Sequence, residues 1–91
     1  MGQALSGELG FAQVPAALAA ARAAIDQDTG SGPLELDLSG VTRVDSAGLA
    51  LLLELARRAR ERGRELRCVR APEQLRRLAE FFGISSLLAL S

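Results

Sequence analysis

Asp45 and Ser46 are the residues of this chain whose types and position are best suited to chemistry. They follow a short turn and stand immediately before a leucine-rich segment that predicts a helix. A serine there can accept hydrogen bonds from the free backbone N–H groups of the first turn, and it is a favoured N-cap residue. The positive end of the helix dipole also favours added negative charge, so a phosphoryl group on Ser46 would be stabilised. Both interpretations of Ser46 remain open, a plain N-cap and a phosphorylation site.

The composition argues against most enzymatic chemistry. The chain has no histidine, which removes Ser-His and Cys-His nucleophile pairs and most zinc sites. It also has no Walker sequence and no GxGxxG motif. Asp37 and Asp45 could form a carboxylate pair, but the simpler interpretation is one acid on a strand face and one that stabilises a turn. We therefore predict a protein that is not an enzyme and that holds no metal or cofactor.

Residues 26–33 resemble part of a calcium loop, because Asp26, Asp28 and Gly30 stand at alternate positions. The segment lacks the third early acid, the glycine at the sixth position and the closing glutamate of such loops. Its Gly, Ser and Pro content is typical of a connection between elements. We interpret it as a turn.

Length and composition predict one domain over residues 1–91, with an aliphatic core. A second core would not fit in 91 residues, and the 48% hydrophobic content includes only three aromatic side chains. No apolar run approaches the ~20 residues of a membrane span, and no signal segment is recognisable. Cys68 is the single cysteine and is expected to be buried in a strand, which fits a reducing compartment. A cytoplasmic protein without direct membrane insertion is expected.

Charge is unevenly distributed along a chain whose net charge is zero. Residues 57–77 carry nine arginines and three glutamates, a net charge of +6, whereas residues 1–56 carry −5. A basic stretch can bind nucleic acid, anionic lipid or an acidic protein, or it can simply be a solvated face. Nucleic acid is disfavoured, because the stretch has no lysine, no aromatic stacking residue and no recognised binding motif.

Hydrophobic periodicity predicts three strands, each followed by a helix, with the order β-α-β-α-β-α. This order is typical of an α/β fold with a mostly parallel or mixed sheet covered by helices. The third helix is expected to bury Leu75, Leu78, Ala79 and Phe82, and residues 85–91 to pack as a short strand or turn. The strands are expected at residues 3–9, 34–38 and 65–69, and the helices at residues 14–25, 46–62 and 72–82.

A helical projection of the second helix separates a core face from an outer face. At about 100° per residue, one face collects leucines and alanines that are expected in the core: Leu49, Leu52, Leu53, Ala56 and Ala59. The opposite face is expected to be exposed and contains Ala47, Ala50, Leu51, Glu54 and Arg58. Leu51 would then be an apolar residue on the outer face. It is either an isolated exposed leucine or part of a flat docking surface beside the small residues of the helix start.

Residues 36–59, LDLSGVTRVDSAGLALLLELARRA, closely resemble the signature of STAS domains, the family of bacterial anti-sigma-factor antagonists. The Asp-Ser-x-Gly-Leu core at residues 45–49 is the most specific part, and the resemblance extends from Leu5 to Gly83. Within the family, residues 43–53 are most similar to the small STAS subunits of Mla-type phospholipid-transport ABC complexes. STAS domains usually begin with a strand before the one expected at residues 3–9. Either that edge strand is absent here or the true start lies upstream, and an unpaired edge invites pairing with another chain.

The resemblance implies a STAS-like fold and a surface that binds a partner protein around the serine-bearing helix start. The first functional hypothesis is a non-catalytic subunit that binds and regulates the cytoplasmic ATPase of a phospholipid-transport ABC complex at the inner membrane. The second is an anti-sigma-factor antagonist that a kinase switches by phosphorylating Ser46. The third is an α/β binding domain without a switch. The expected partner surface comprises Arg43, Asp45, Ser46, Ala47, Ala50, Leu51 and Glu54.

Overall fold

The computed structural model describes residues 2–90, with side chains from Ala4 onward. Three strands alternate with three helices, and a short 3₁₀ helix follows at Ser85–Leu88. The predicted order and type of the six main elements are confirmed. The elements are β1 (Gly2–Leu9), α1 (Val14–Gln27), β2 (Leu34–Val44), α2 (Ser46–Glu61), β3 (Leu66–Val69) and α3 (Glu73–Phe81).

Within residues 2–90 the strands form one parallel sheet with β2 in the centre, in the order β1-β2-β3. Alternate residues at the start of β2 are buried under the helices, whereas Glu35 is exposed and Asp37 partly exposed on the other face. The register aligns Leu36 of β2 with Cys68 of β3. Because parallel strands end at the same edge, the carboxyl ends of β1 and β2 lie together where α1 and α2 begin.

β2 is longer than its sequence predicts, because two irregularities interrupt its pairing with β1. The partners of Ala4 and Ser6 are Asp37 and Gly40, so β2 contains one extra residue at that point. The partners of Gly7 and Glu8 are Val41 and Arg43, so β2 contains a second extra residue there. Each bulge disturbs the alternation of faces. Buried residues therefore recur at every third position, at Leu38, Val41 and Val44. The alternating apolar pattern that predicts a strand ends at residue 38 for this reason.

The core is entirely aliphatic apart from Cys68, and no polar or charged residue among those described is buried. Leucines of β2, α2 and α3 meet there with Leu88 of the 3₁₀ helix, which is fully buried. None of the three aromatic side chains contributes to the core. Phe11 is 83% exposed, Phe81 82% and Phe82 52%, so the predicted burial of Phe82 is wrong: α3 ends at Phe81, and Phe82 is its C-cap.

The expected outer-face position of Leu51 is also wrong, because its side chain is only 2% exposed. α2 contacts α1 as well as α3 and the 3₁₀ helix, so its buried arc is wide. The buried arc is centred about 60° from the predicted core face. Leu53, which was expected in the core, is consequently only half-buried.

Arginines of the basic stretch pair with acids from the first half of the chain. Arg58 donates to both carboxylate oxygens of Asp26, at 2.8 and 2.6 Å. Arg64 donates to Asp28 Oδ1 at 2.6 Å and to the Gly32 carbonyl at 2.8 Å. The two acids that resemble calcium ligands are thus engaged by guanidinium groups, and residues 28–33 form an irregular loop that contacts Arg64 through Asp28 and Gly32. The uneven charge of the sequence is largely compensated in space.

Across residues 2–90, no helix has the length and apolar character needed to cross a bilayer.

Candidate docking surface

Asp45, rather than Ser46, caps α2. The Asp45 backbone is extended, and its Oδ1 accepts a hydrogen bond from the Gly48 N–H at 3.0 Å. Its other carboxylate oxygen, Oδ2, accepts from the Phe11 N–H at 3.1 Å. The predicted N-cap role of Ser46 is therefore wrong, because the preceding residue already satisfies the free N–H groups of the first turn. One carboxylate fastens the start of α2 to the turn between β1 and α1.

The same hydrogen bonds determine the ionisation of Asp45. Donation from the Gly48 and Phe11 backbone N–H groups holds the pKa of the Asp45 carboxyl below its ordinary value of 3.8. The group is thus a carboxylate at neutral pH, with its lone pairs directed at backbone donors. This arrangement makes Asp45 a structural anchor and leaves it poorly suited to act as a base for Ser46.

Ser46 is the first residue of α2, and its side chain is exposed. Within residues 2–90 its hydroxyl group makes no hydrogen bond, whereas the neighbouring carboxylate makes two. The exposed hydroxyl is therefore free for a partner or a modifying enzyme. It lies where the dipole of a 16-residue helix favours negative charge.

Small side chains continue this surface along the first turns of α2. Ala50 is exposed one turn after Ser46, and Ala47 and Glu54 are partly exposed beside it. Glu54 accepts a hydrogen bond from Arg57 Nε at 3.0 Å, which holds its carboxylate on the helix surface. We call the surface formed by Ser46, Ala47, Ala50 and Glu54 the α2 face. Of the other expected contacts, Arg43 is exposed at the end of β2, Asp45 is exposed but engaged in capping, and Leu51 is buried.

Phe11 is the residue of this surface that the sequence analysis missed. Its backbone N–H contacts Asp45, which places it beside the start of α2, and its ring is 83% exposed. Aromatic side chains are enriched at protein interfaces and often anchor them. A signal was present in the sequence: one of only three aromatic residues stands in a short turn between a strand and a helix, outside any periodic apolar pattern.

A small open cleft adjoins the α2 face at the carboxyl ends of β1 and β2. Its volume is about 180 Å³, and Gln74 of α3 closes one side by accepting a hydrogen bond from the Val44 N–H at 3.1 Å. The lining is polar and contains acidic, basic and amide groups: Glu8, Gly10, Arg43, Val44, Asp45 and Gln74. No nucleophile paired with a base lines this cleft. The cleft presents charged and amide side chains to the solvent.

Comparison with known proteins identifies the family. The domain family described as "Mlab, STAS domain" matches residues 3–89, and the chain therefore belongs to the STAS-domain family. A relative from Haemophilus influenzae, the intermembrane phospholipid transport system binding protein MlaB, is 38% identical over 56 residues. The match covers 62% of this chain and 53% of the relative. The chain thus matches about half the length of this curated relative.

Solved structures share the fold at low sequence identity. The murine anion transporter Slc26a9 superimposes with a TM-score of 0.82 at 22% identity, over 96% of this chain and 15% of that protein. A sulfate transporter family protein from Wolinella succinogenes gives 0.75 at 18% identity, over 96% of this chain and 69% of that protein. The anti-sigma factor antagonist SpoIIAA, unphosphorylated, gives 0.65 at 22% identity, over 86% of this chain and 70% of that protein. The predicted STAS-like α/β fold is confirmed.

Proposed function

We propose that this chain is the non-catalytic STAS subunit of an Mla-type phospholipid-transport ABC transporter, which maintains outer-membrane lipid asymmetry. It would bind and regulate the cytoplasmic ATPase subunit, MlaF, and would reach the inner face of the inner membrane through that partner. The proposal rests on the relative named as a phospholipid-transport binding protein and on the match to the "Mlab, STAS domain" family.

The observation that carries the docking role is the exposed α2 face with Phe11 beside it. Small side chains at Ser46, Ala47 and Ala50 let a partner helix or loop approach the backbone of α2 closely. Phe11 offers a large exposed apolar side chain, and its burial by a partner would be favourable. An aromatic anchor next to a flat, small-residue helix start is well suited to binding a protein and offers no enclosed pocket for a lipid.

The test is co-expression of this chain with the MlaF-type ATPase from the same genome, followed by co-purification and titration of the purified partners. We expect a stable complex. Ala50→Glu should abolish it, because the new carboxylate would have to be desolvated at the contact. Ala23→Glu is the matched control, since Ala23 is exposed on α1 near the opposite end of the helix pair, and it should bind as wild type. Normal binding by Ala50→Glu would contradict the docking role of the α2 face.

A second function, an anti-sigma-factor antagonist switched by phosphorylation, is favoured by the exposed hydroxyl of Ser46 at the helix start. Co-expression with a sigma-factor regulatory kinase would then give a complex and a phosphorylated Ser46. Under either function we expect Ser46→Asp to weaken binding and Ser46→Ala to weaken it much less, because only the aspartate adds a charge that a partner must desolvate. Equal affinity for wild type and the aspartate variant would remove Ser46 from the contact.

A further inference from the structure

The cleft beside the α2 face has the dimensions of a single side chain. Its volume of about 180 Å³ is that of about six water molecules, whereas sites for drug-sized ligands have volumes of about 300–1,000 Å³. The cleft is open to solvent and adjoins the start of α2 through Asp45, the N-cap residue. A protein that covers the α2 face can therefore place one of its side chains in the cleft.

Two hydrogen-bond donors of the cleft have no acceptor within residues 2–90. Arg43 is exposed, and no acid lies within ion-pair distance of its guanidinium group, although Glu8 is its register partner on β1. Gln74 uses its Oε1 atom to accept the hydrogen bond from the Val44 N–H, which leaves the N–H groups of its amide for another acceptor. The Gln74 side chain is thus held in place with its donor atoms unused.

The acceptors of the cleft are fewer than its donors. Asp45 is already engaged, since each of its carboxylate oxygens accepts a hydrogen bond from a backbone N–H group. Glu8 is then the one carboxylate of the lining that accepts no hydrogen bond within residues 2–90. The planar guanidinium group of Arg43 matches the two oxygens of a carboxylate, and the Gln74 amide can donate to the same group. The unused donors therefore favour an acidic occupant.

We propose that the cleft binds the carboxylate of an aspartate or glutamate side chain, which the partner ATPase presents when it covers the α2 face. This role of the cleft rests on the proposed function and adds a polar contact beside the apolar anchor Phe11. Arg43 donates two parallel hydrogen bonds to the carboxylate, and Gln74 donates a third. Glu8 carries a like charge, so it lowers the affinity for this occupant.

Opposite effects of two substitutions test the charge of the occupant. The measurement is the dissociation constant of the complex with the purified ATPase. Arg43→Gln should weaken binding about tenfold or more, because the partner carboxylate loses its charged donor, whereas Glu8→Gln should strengthen binding by removing a like charge. Arg76→Gln is the matched control and should bind as wild type. Arg76 is also an exposed arginine without an acid partner within residues 2–90, and it does not line the cleft.

Gln74→Glu tests the amide without releasing α3 from β2. The new carboxylate can still accept the hydrogen bond from the Val44 N–H, but it has no N–H group to donate and it adds a negative charge. This variant should weaken binding of the ATPase without lowering the melting temperature of the free chain.

The absence of lysine from the chain allows the occupant to be identified. In a double variant, Arg43→Lys with Glu8→Gln, the new amine is the only lysine side chain of this protein, and the neighbouring carboxylate that could react with it is gone. A carbodiimide should join that amine by an amide bond to an aspartate or glutamate of the ATPase, which mass spectrometry of the digested complex identifies. Arg76→Lys should form no such bond.

The outcomes separate this inference from the proposed function. An intact complex whose affinity is unchanged in Arg43→Gln would overturn the carboxylate contact alone. Stronger binding by Arg43→Gln together with weaker binding by Glu8→Gln would show a basic occupant and would overturn it equally. Failure of the wild-type chain to bind the ATPase would overturn the proposed function and the carboxylate contact together.

Discussion

The carbonyl oxygen of Leu9 lies where a side chain on residue 48 would have to be. A Cβ built on Gly48 would be 1.9 Å from that oxygen and 2.8 Å from Cγ2 of Val44. The first turn of α2 therefore rests directly on the ends of β1 and β2, and only glycine permits the contact. This relationship explains the Asp-Ser-x-Gly-Leu pattern, in which Asp45 caps the helix, Gly48 allows the close approach and Leu49 is buried.

Gly48→Ala should destabilise the protein strongly. Its closest contact is backbone, which cannot move aside as a flexible side chain would, so the cost should reach or exceed the upper end of the usual overpacking range of about 1–3 kcal/mol. Urea denaturation measures the change in the free energy of unfolding. Ala50→Val adds bulk to the exposed side of the same helix and should change that free energy by no more than about 0.5 kcal/mol. Equal stabilities of the two variants would contradict the close contact at Gly48.

Leu51 and Ala50 are adjacent, but substitution of Leu51 should lower the stability of the protein, whereas substitution of Ala50 should affect partner binding. Leu51→Ala removes a buried side chain and should cost roughly 2–5 kcal/mol in the free energy of unfolding. Ala50→Glu alters an exposed position and should change stability by about 0.5 kcal/mol or less, although it should prevent partner binding. Thermal or urea denaturation of both variants checks the orientation of α2. A Leu51→Ala variant as stable as wild type would restore the orientation that the sequence predicted.

Asp45→Ala should lower the melting temperature more than Ser46→Ala does. The first variant removes two acceptors, one for the Gly48 N–H and one for the Phe11 N–H, whereas the Ser46 side chain makes no such bond within residues 2–90. Asp45→Asn keeps an amide oxygen that can cap the helix and should melt between Asp45→Ala and wild type. A lower melting temperature for Ser46→Ala than for Asp45→Ala would show that Ser46 caps the helix.

The stability of the protein should fall as the pH drops from about 4 to about 2. The Arg70 guanidinium donates a hydrogen bond to Oδ2 of Asp37 at 3.1 Å, and the Ser39 N–H donates one to Oδ1. These hydrogen bonds, the one from Arg70 most strongly, lower the pKa of Asp37 from 3.8 to about 2. In the unfolded chain the Asp37 carboxyl binds a proton more readily than in the folded protein. Its contribution to stability is therefore complete above the pKa of the unfolded state and is lost as the pH falls through the pKa of the folded state.

Asp37→Asn should accordingly reduce the slope of the urea midpoint against pH in that window. Arg70→Gln should reduce it in the same direction, since it removes the principal cause of the shift. The slope should not vanish, because hydrogen bonds from Arg58 and Arg64 also lower the pKa values of Asp26 and Asp28. An unchanged slope in Asp37→Asn would show that the Arg70 pair has no role in acid stability.

Cys68 should resist alkylation in the folded protein. Its side chain is fully buried, and burial raises the pKa of its thiol to about 12, so the reactive thiolate is scarce at neutral pH. Iodoacetamide should modify it only when the chain unfolds, whereas Ala50→Cys should add an exposed cysteine that reacts rapidly in the native state. Mass spectrometry over time in native buffer and in urea distinguishes the two sites.

Much of the fold could be predicted from the sequence because its periodic segments are unambiguous. Leu34, Leu36 and Leu38 alternate with acidic residues in β2, and the other elements are separated by glycine-rich or polar connections. The second half of β2 was missed because two bulges change its burial period from two residues to three. A bulge depends on the partner strand, so the hydrophobic pattern of one strand alone does not reveal it.

The location of the candidate site at the start of α2 stays a prediction, and the structure corrects the positions of some of its side chains. Asp45 and Ser46 were both capable caps by residue type, and only the backbone decides that Asp45 is the one in the extended conformation. The exposure of Leu51 depended on where the neighbouring helices pack, which a projection of one helix cannot supply. Phe11 was missed because a single residue in a turn has no period to detect.

The two bulges of β2 also determine which kinds of change this segment can accept. Ser39, Thr42 and Arg43 are exposed between Leu38 and Asp45, so substitutions there leave the core undisturbed. Gly40 is also exposed, but a Cβ on it would lie 2.9 Å from the Cβ atom of Ser6. The length of the segment cannot vary in the same way: losing one residue would exchange the two faces of the strand beyond that point and would displace Asp45 and Gly48 together from Phe11 and Leu9. Substitutions and single-residue deletions in this segment should therefore be tolerated very differently, although they alter the same stretch of chain.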